Sequence, residues 1–146
     1  MHGFMHQALD EARQAARRGE VPVGAVIVRD GIVLARSGNR VEELRDPTAH
    51  AEMQAIRAAC ARLESPRLVG CDLYVTLEPC PMCAAAMSAA RLRRVYFGAY
   101  DPKGGGIEHG PKIFAHPTCH HRPEIYGGIG ESVAADLLRD FFRARR

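Results

Sequence analysis

The sequence predicts an α/β layered domain, and three observations carry that reading. Segments of helical period alternate with short β-branched runs, in the order helix–strand–strand–helix–strand–helix–strand. Two of the apolar runs flank Asp30-Gly31, a hairpin signal. The chain has 146 residues, 47% of them apolar, which supplies one core and leaves little room for a second, so residues 1–146 read as a single domain.

The elements follow in order. Residues 4–18 form an amphipathic helix with Phe4, Ala8, Leu9, Ala12 and Ala16 on one side. The β-branched run 23–28 and the run 32–35 pair across Asp30-Gly31. Asp46-Pro47 offers an N-cap followed by proline at the first helical position, so the next helix is expected over 47–63, with Met53, Ile56 and Cys60 at helical spacing. Residues 73–77 alternate like a strand, Tyr74 and Thr76 opposite Val75. A second helix is expected over 81–92 and a strand over 95–98. No periodicity survives between Asp101 and Pro123, and such a stretch inside a compact domain is usually functional or mobile. A brief strand at Ile125 and Tyr126 and a helix from Glu131 to the end close the chain.

Composition excludes several classes. The net charge of +3 is too mild to indicate nucleic acid by itself. Arginine far outnumbers lysine, and most of it reads as ordinary helix surface. The glycines at 104–106 and 127–130 match neither a dinucleotide nor a phosphate-loop motif, so turns are their expected use. No apolar run approaches a membrane span, and no apolar signal segment opens the chain. The five cysteines, Cys60, Cys71, Cys80, Cys83 and Cys119, are an odd set in a chain without an export signal. Free thiols of that kind fit the cytoplasm, where paired cysteines usually mean metal or redox chemistry.

The chemistry concentrates in His50-Ala51-Glu52 and Pro79-Cys80-Pro81-Met82-Cys83. Cys80 and Cys83 stand at i and i+3 around a helix start, so both sulfurs face one side, where unpaired N–H groups favour thiolates. His50 supplies a third donor from the start of another helix. Three protein ligands with an open fourth position is the catalytic zinc arrangement, and it lowers the pKa of bound water to about 7. On a helix, positions two apart point nearly opposite ways, so His50 and Glu52 serve one site only if it lies at the first turn. Each feature has a plainer reading. Cys-x-x-Cys alone also occurs as a redox pair, and a lone His at a helix start is often a cap. Redox motifs, however, lack an upstream His-x-Glu. Cys60, Cys71 and Cys119 read as small packed hydrophobes.

The His-x-Glu and Pro-Cys-x-x-Cys signature resembles that of the cytidine deaminase superfamily of zinc deaminases. More closely, the chain resembles bacterial tRNA-specific adenosine deaminases along almost its whole length. The likeness runs through Val23-Gly24-Ala25-Val26, Gly38-Asn39-Arg40, residues 46–52, residues 73–80, Gly98-Ala99-Tyr100-Asp101 and Phe141-Phe142-Arg143. The resemblance implies a three-layer α/β/α sandwich with a central five-stranded mixed sheet, one zinc per subunit and a homodimer. It implies that Asn39 and Ala51 meet the target base, and that Asp101, Phe141, Phe142 and Arg143 help hold a tRNA anticodon loop. The long loop departs from the pattern: His120-His121 stands where Asn-His is common, and Glu108-His109-Gly110 replaces a more apolar segment.

The expected reaction is hydrolytic deamination of the wobble adenosine to inosine. Zinc-activated hydroxide attacks C6 of a flipped-out base, and Glu52 carries the protons. Two rivals stand beside it: deamination of a free base or nucleoside of guanine or cytosine type, and a zinc-stabilised RNA-binding module without catalysis. Glu52, which no structural zinc site needs, argues against the second. In the final helix Leu137, Leu138 and Phe141 fit a core stripe. Adjacent rings diverge by about 100°, so one of Phe141 and Phe142 is expected near the surface, beside Arg139, Arg143, Arg145 and Arg146.

Overall fold

The computed structural model describes residues 3–145. Five strands form one mixed sheet in the order β2-β1-β3-β4-β5. They are β1 (Gly24–Arg29), β2 (Ile32–Gly38), β3 (Asp72–Leu77), β4 (Arg94–Ala99) and β5 (Glu124–Tyr126). β1 pairs antiparallel with both β2 and β3, while β3–β4 and β4–β5 are parallel. The expected hairpin is present: Asp30 and Gly31 both take positive φ, 51° and 76°, as a two-residue primed turn requires.

Helices cover both faces. α1 (Gly3–Arg17) and α5 (Glu131–Arg143) lie on one side, α3 (Ala51–Leu63) and α4 (Pro81–Ala89) on the other. The strands alternate between the two layers. Ala25, Ile27, Leu73, Val75, Val95 and Phe97 join the α3/α4 core, whereas Val26, Val28 and Tyr74 join the α1/α5 core. Burial on both faces is why β1 reads as an unbroken apolar run rather than an alternating one. On the α1/α5 face Tyr74, Tyr96 and Tyr126 occupy paired positions on three neighbouring strands and stack at 4.4 and 5.1 Å. The expected three-layer sandwich with a five-stranded mixed sheet is therefore what the chain forms.

Several boundaries differ from the sequence reading. The helix expected from Pro47 begins at Ala51, because the Asp46 carboxylate accepts the Thr48 N–H (2.8 Å) and hydroxyl (2.7 Å) and closes a local turn instead. The second helix stops at Ala89 rather than near 92, with Arg91 in the left-handed region at φ 64°. A single turn, α2 (Val41–Leu44), is too short to leave a periodic signal; its Glu42 and Glu43 N–H groups are met by the distant Glu20 carboxylate at 3.1 and 2.8 Å. On α1 the fully buried stripe is Met5, Ala8, Leu9, Ala12 and Ala15, so Ala15 rather than Ala16 faces the sheet. The 101–123 stretch contains only the short 3-10 turn 113–115. The final helix ends at Arg143, and Arg146 lies outside the described residues.

Candidate active site

Two helix starts meet beyond the C-terminal end of β3. Leu77 ends that strand, and three residues later Cys80 caps α4 in an extended conformation (φ −70°, ψ 169°), with Pro81 in the first turn. Cys83 then falls in the first turn of α4. His50 caps α3, also extended (φ −68°, ψ 156°), and Glu52 is the second residue of that helix. Because His50 precedes the helix, the objection that residues two apart diverge does not hold: its direction is set by extended backbone. No side chain of the cap residue meets the first N–H of α3. Asn39 does so instead, its Oδ1 accepting the Ala51 N–H at 2.7 Å while its Nδ2 donates to the Val21 carbonyl at 3.2 Å. A cap of this kind contributes about 1 kcal/mol to a helix start.

The three expected metal donors come together. His50 Nδ1 lies 3.6 Å from Cys80 Sγ and 3.5 Å from Cys83 Sγ, and all three donor atoms lie within 4.8 Å of one another. Tetrahedral zinc with ordinary Zn–N and Zn–S bonds demands an N···S separation of about 3.6 Å. The donor set thus fits zinc in spacing as well as in chemistry, two thiolates and an imidazole. Among the described residues no other cluster of His, Cys, Asp and Glu could hold a metal.

These donors also share protons. The Cys83 thiol, then the His50 ring, donate to Cys80 and hold its thiol down to about 4; burial opposes this. The same bond pushes Cys83 up, reinforced by burial and by the charge of Glu52. His50 is raised by its bond to Cys80, against burial. Glu52, only 4% exposed, is pushed up to about 7 chiefly by burial, with the Cys80 thiolate adding to the rise. A carboxyl poised near neutrality suits general acid–base work.

A cleft of about 490 Å³ opens over His50, Cys80 and Glu52. Of the expected substrate contacts, Asn39, Asp101 and Phe141 line it. Ala51 is buried in the core and contributes its backbone N–H to Asn39. Phe142 is the surface ring, 50% exposed, while Phe141 is buried; neither Phe142 nor Arg143 lines the cleft. Arg145 does, its guanidinium 3.5 Å above the centre of the Phe141 ring. Glu20 and Glu78 were not singled out from the sequence, whereas Arg145 was expected only as one of four arginines near the end of the final helix. For Glu78, its place two residues before Cys80 was the available signal.

Glu78 is a second buried carboxylate of the cleft. It accepts the backbone N–H groups of Asp101, Ile107, Glu108 and His109 at 2.9–3.3 Å, and the ring of His109 at 2.8 Å. Burial raises its pKa most, but these bonds together outweigh it and hold the carboxyl below its ordinary value. The glycines 105 and 106 are therefore not simple turn residues. A Cβ on Gly106 would stand 2.5 Å from Pro81 N, and one on Gly105 would overlap the Glu78 carboxylate. Close approach requires them. The other half of the long loop packs outside the cleft, where His120 and His121 border a separate cavity of about 520 Å³ against Ala85, Ser88 and Ala89 of α4. His121 Nε2 bonds the Leu92 carbonyl at 2.6 Å.

Residues 1–99 match the family described as the cytidine and deoxycytidylate deaminase zinc-binding region. A tRNA-specific adenosine deaminase of Agrobacterium fabrum is 62% identical over 143 residues, covering 98% of this chain and 94% of the relative. A structure solved in studies of A-to-I editing by tRNA:A34 deaminases at the wobble position superposes with a TM-score of 0.93, at 60% identity, over 94% of this chain and 100% of the other. A guanine deaminase from Bacillus subtilis superposes with a TM-score of 0.67 at 32% identity, over 99% of this chain and 94% of the other.

Proposed function

The chain belongs to the cytidine and deoxycytidylate deaminase family, in its tRNA-specific adenosine deaminase branch, and on that footing we propose that it converts the wobble adenosine of a tRNA anticodon to inosine. The observation that carries the reading is the cleft itself, where a three-donor metal set and the buried carboxyl Glu52 share one opening. His50, Cys80 and Cys83 would hold the zinc. Bound zinc supplies Lewis acidity that makes water a nucleophile near neutral pH.

The chain's own residues do the rest. Glu52 takes a proton from the attacking water and delivers it to N1, the ring nitrogen beside C6. As the C6–N bond breaks, Glu52 takes the proton of the new C6 hydroxyl and hands it to the leaving amine, so water and adenosine become inosine and ammonia. Burial that holds Glu52 near 7 lets it accept and give protons at one pH. Glu78 cannot share this role: its two oxygens have about four acceptor sites, and all are engaged.

The RNA reading extends outward from the cleft. Asn39 and Asp101 both line it and offer polar groups to a flipped base and its ribose. Phe141 and Arg145 line it, the Phe141 ring covered by the Arg145 guanidinium, which is there for phosphate contact; Phe142, half exposed, is the ring for stacking, and Arg143 continues that surface into solvent. The substrate form is the anticodon stem-loop, the working unit is a homodimer, and the compartment is the cytoplasm, consistent with five unpaired cysteines. Among the described residues no helix is long and apolar enough to cross a membrane. The test is mass analysis of a tRNA pool and of free guanine, cytosine and adenosine after incubation with the zinc-loaded protein. Inosine in the tRNA alone is expected; turnover of a free base with anticodon stem-loops untouched would overturn the reading.

A further inference from the structure

We propose that Glu78 is a positioning residue which, latched by His109, fastens the 101–109 segment as a wall of the cleft and thereby sets how tightly the RNA substrate is held. The kinetic part of this proposal rests on the RNA reading above. The structural part does not.

Residues 101–109 belong to no helix or strand, so their backbone N–H groups need partners elsewhere. Glu78, whose side chain is fully buried, accepts four of them, those of Asp101, Ile107, Glu108 and His109. The successive N–H groups of Ile107, Glu108 and His109 converge on Oε2 at 3.3, 2.9 and 3.1 Å, forming an anion-binding concavity around a carboxylate of the same chain. Oε1 accepts the Asp101 N–H at 3.0 Å and the His109 Nδ1–H at 2.8 Å. Such charge-assisted bonds are the strong ones. One anchored group is the backbone of Asp101, whose own Oδ1 is fixed by the N–H groups of Lys103 (3.2 Å) and Gly104 (2.9 Å). Asp101 and Gly104 are the residues by which this segment lines the cleft. The order of support runs from Glu78 through the Asp101 backbone to the Asp101 carboxylate.

His109 closes the arrangement from outside. Its side chain is 34% exposed, and its ring meets Tyr100 edge-on at 6.2 Å. Tyr100 in turn meets Phe97 of β4 edge-on at 5.1 Å, so the latch ties the segment to the end of the sheet. Loss of the ring bond leaves four backbone bonds, that of His109 among them, but removes the tie from Glu78 through the His109 ring to Tyr100 and the sheet.

The experiment compares zinc-loaded wild type with His109→Ala, His109→Asn and Glu78→Gln, reading zinc content, amide hydrogen exchange over 101–109, and KM and kcat on an anticodon stem-loop. His109→Ala should raise KM by about tenfold with kcat within about twofold, as loss of one hydrogen bond to a charged group allows. His109→Asn, which keeps a donor, should recover most of the loss. In Glu78→Gln the amides of 107–109 should exchange at least about tenfold faster at full zinc content. A fall in kcat at unchanged KM in His109→Ala or Glu78→Gln overturns the proposal, as do exchange rates unchanged in both. If Glu78→Gln does not fold, His109→Ala carries the test. If wild type leaves the stem-loop unmodified, the substrate reading fails, and the exchange rates alone still decide the latch.

Discussion

Glu52 and Glu78 line the same cleft, both nearly inaccessible to solvent, and their surroundings drive them apart. Glu52 is desolvated and shifted up toward neutrality; Glu78 is buried as deeply but collects enough donors to remain ionised. The division of labour gives two residue-scale predictions. Glu52→Ala should keep its zinc and its circular dichroism and lose at least about 10²–10⁴-fold in turnover; a near wild-type rate would exclude Glu52 as proton carrier. Cys83→Ala should lose most of its zinc by elemental analysis, since His50 and Cys80 alone hold the ion poorly, and full occupancy would remove Cys83 from the ligand set. Proton release supplies a third. Zinc needs deprotonated thiols and a neutral imidazole. At pH 7 Cys80, held near 4, has no proton to give; Cys83, pushed up, gives one; and His50, raised, gives a fraction. Zinc affinity should therefore rise with pH through the neutral range, by about tenfold or more per unit, and calorimetry of chelator-treated protein in buffers of different ionisation enthalpy should detect the protons. An affinity flat between pH 6 and 8 would contradict these proton positions.

At the scale of elements, function gathers where helices begin and end. α3 and α4 begin at extended cap residues, and that places a ligand just outside each helix, free of its 3.6-residue period. The C-terminal helix shows the same economy: adjacent rings diverge, so Phe141 turns to the cleft under Arg145 while Phe142 faces solvent. Base stacking on an aromatic ring contributes about 1–3 kcal/mol. Phe142→Ala should accordingly raise KM for the stem-loop by roughly 5- to 150-fold with zinc content and thermal stability unchanged. Deleting residues 141–146 should weaken deamination further, with zinc and circular dichroism as controls for folding. An unchanged KM in both would place RNA contact elsewhere. The hairpin, the strand runs and the paired helices were legible because each is written in local periodicity or turn chemistry. The late start of α3 and the single turn of α2 were not, since a side-chain turn at Asp46 and a distant carboxylate, Glu20, decide them.

For the molecule as a whole, a net charge of +3 is modest, and any grip on RNA depends on where the arginines lie. Arg145 stands at the cleft mouth, and Arg143 projects nearby at 71% side-chain exposure. Stem-loop binding should weaken with salt, its log–log slope near −0.7 for each single-strand phosphate neutralised. A salt-independent affinity would count against phosphate contacts. The working unit belongs to this scale too: sedimentation at micromolar concentration should give twice the mass of one chain.

The sequence already pointed to the metal donors and to Glu52 as the proposed proton carrier. His50 with Glu52 and Cys80 with Cys83 are each neighbours along the chain; either pair alone has a plainer use, and it is the two together, matching the zinc-deaminase signature, that point to a metal. It also determined the layered α/β class, because period and turn residues are local. What the tertiary structure decided is the cleft around that set. Glu20, Asn39, Glu78, Asp101 and Arg145 come from six different stretches once His50 is counted, and no periodic rule links them. Their meeting depends on a sheet order that brings β3 between β1 and β4, and on a carboxylate at the end of β3 that folds a distant loop onto itself. Local patterns report what each residue can do. Which residues do it together is set by packing between segments that are remote in sequence, and only the folded chain records that.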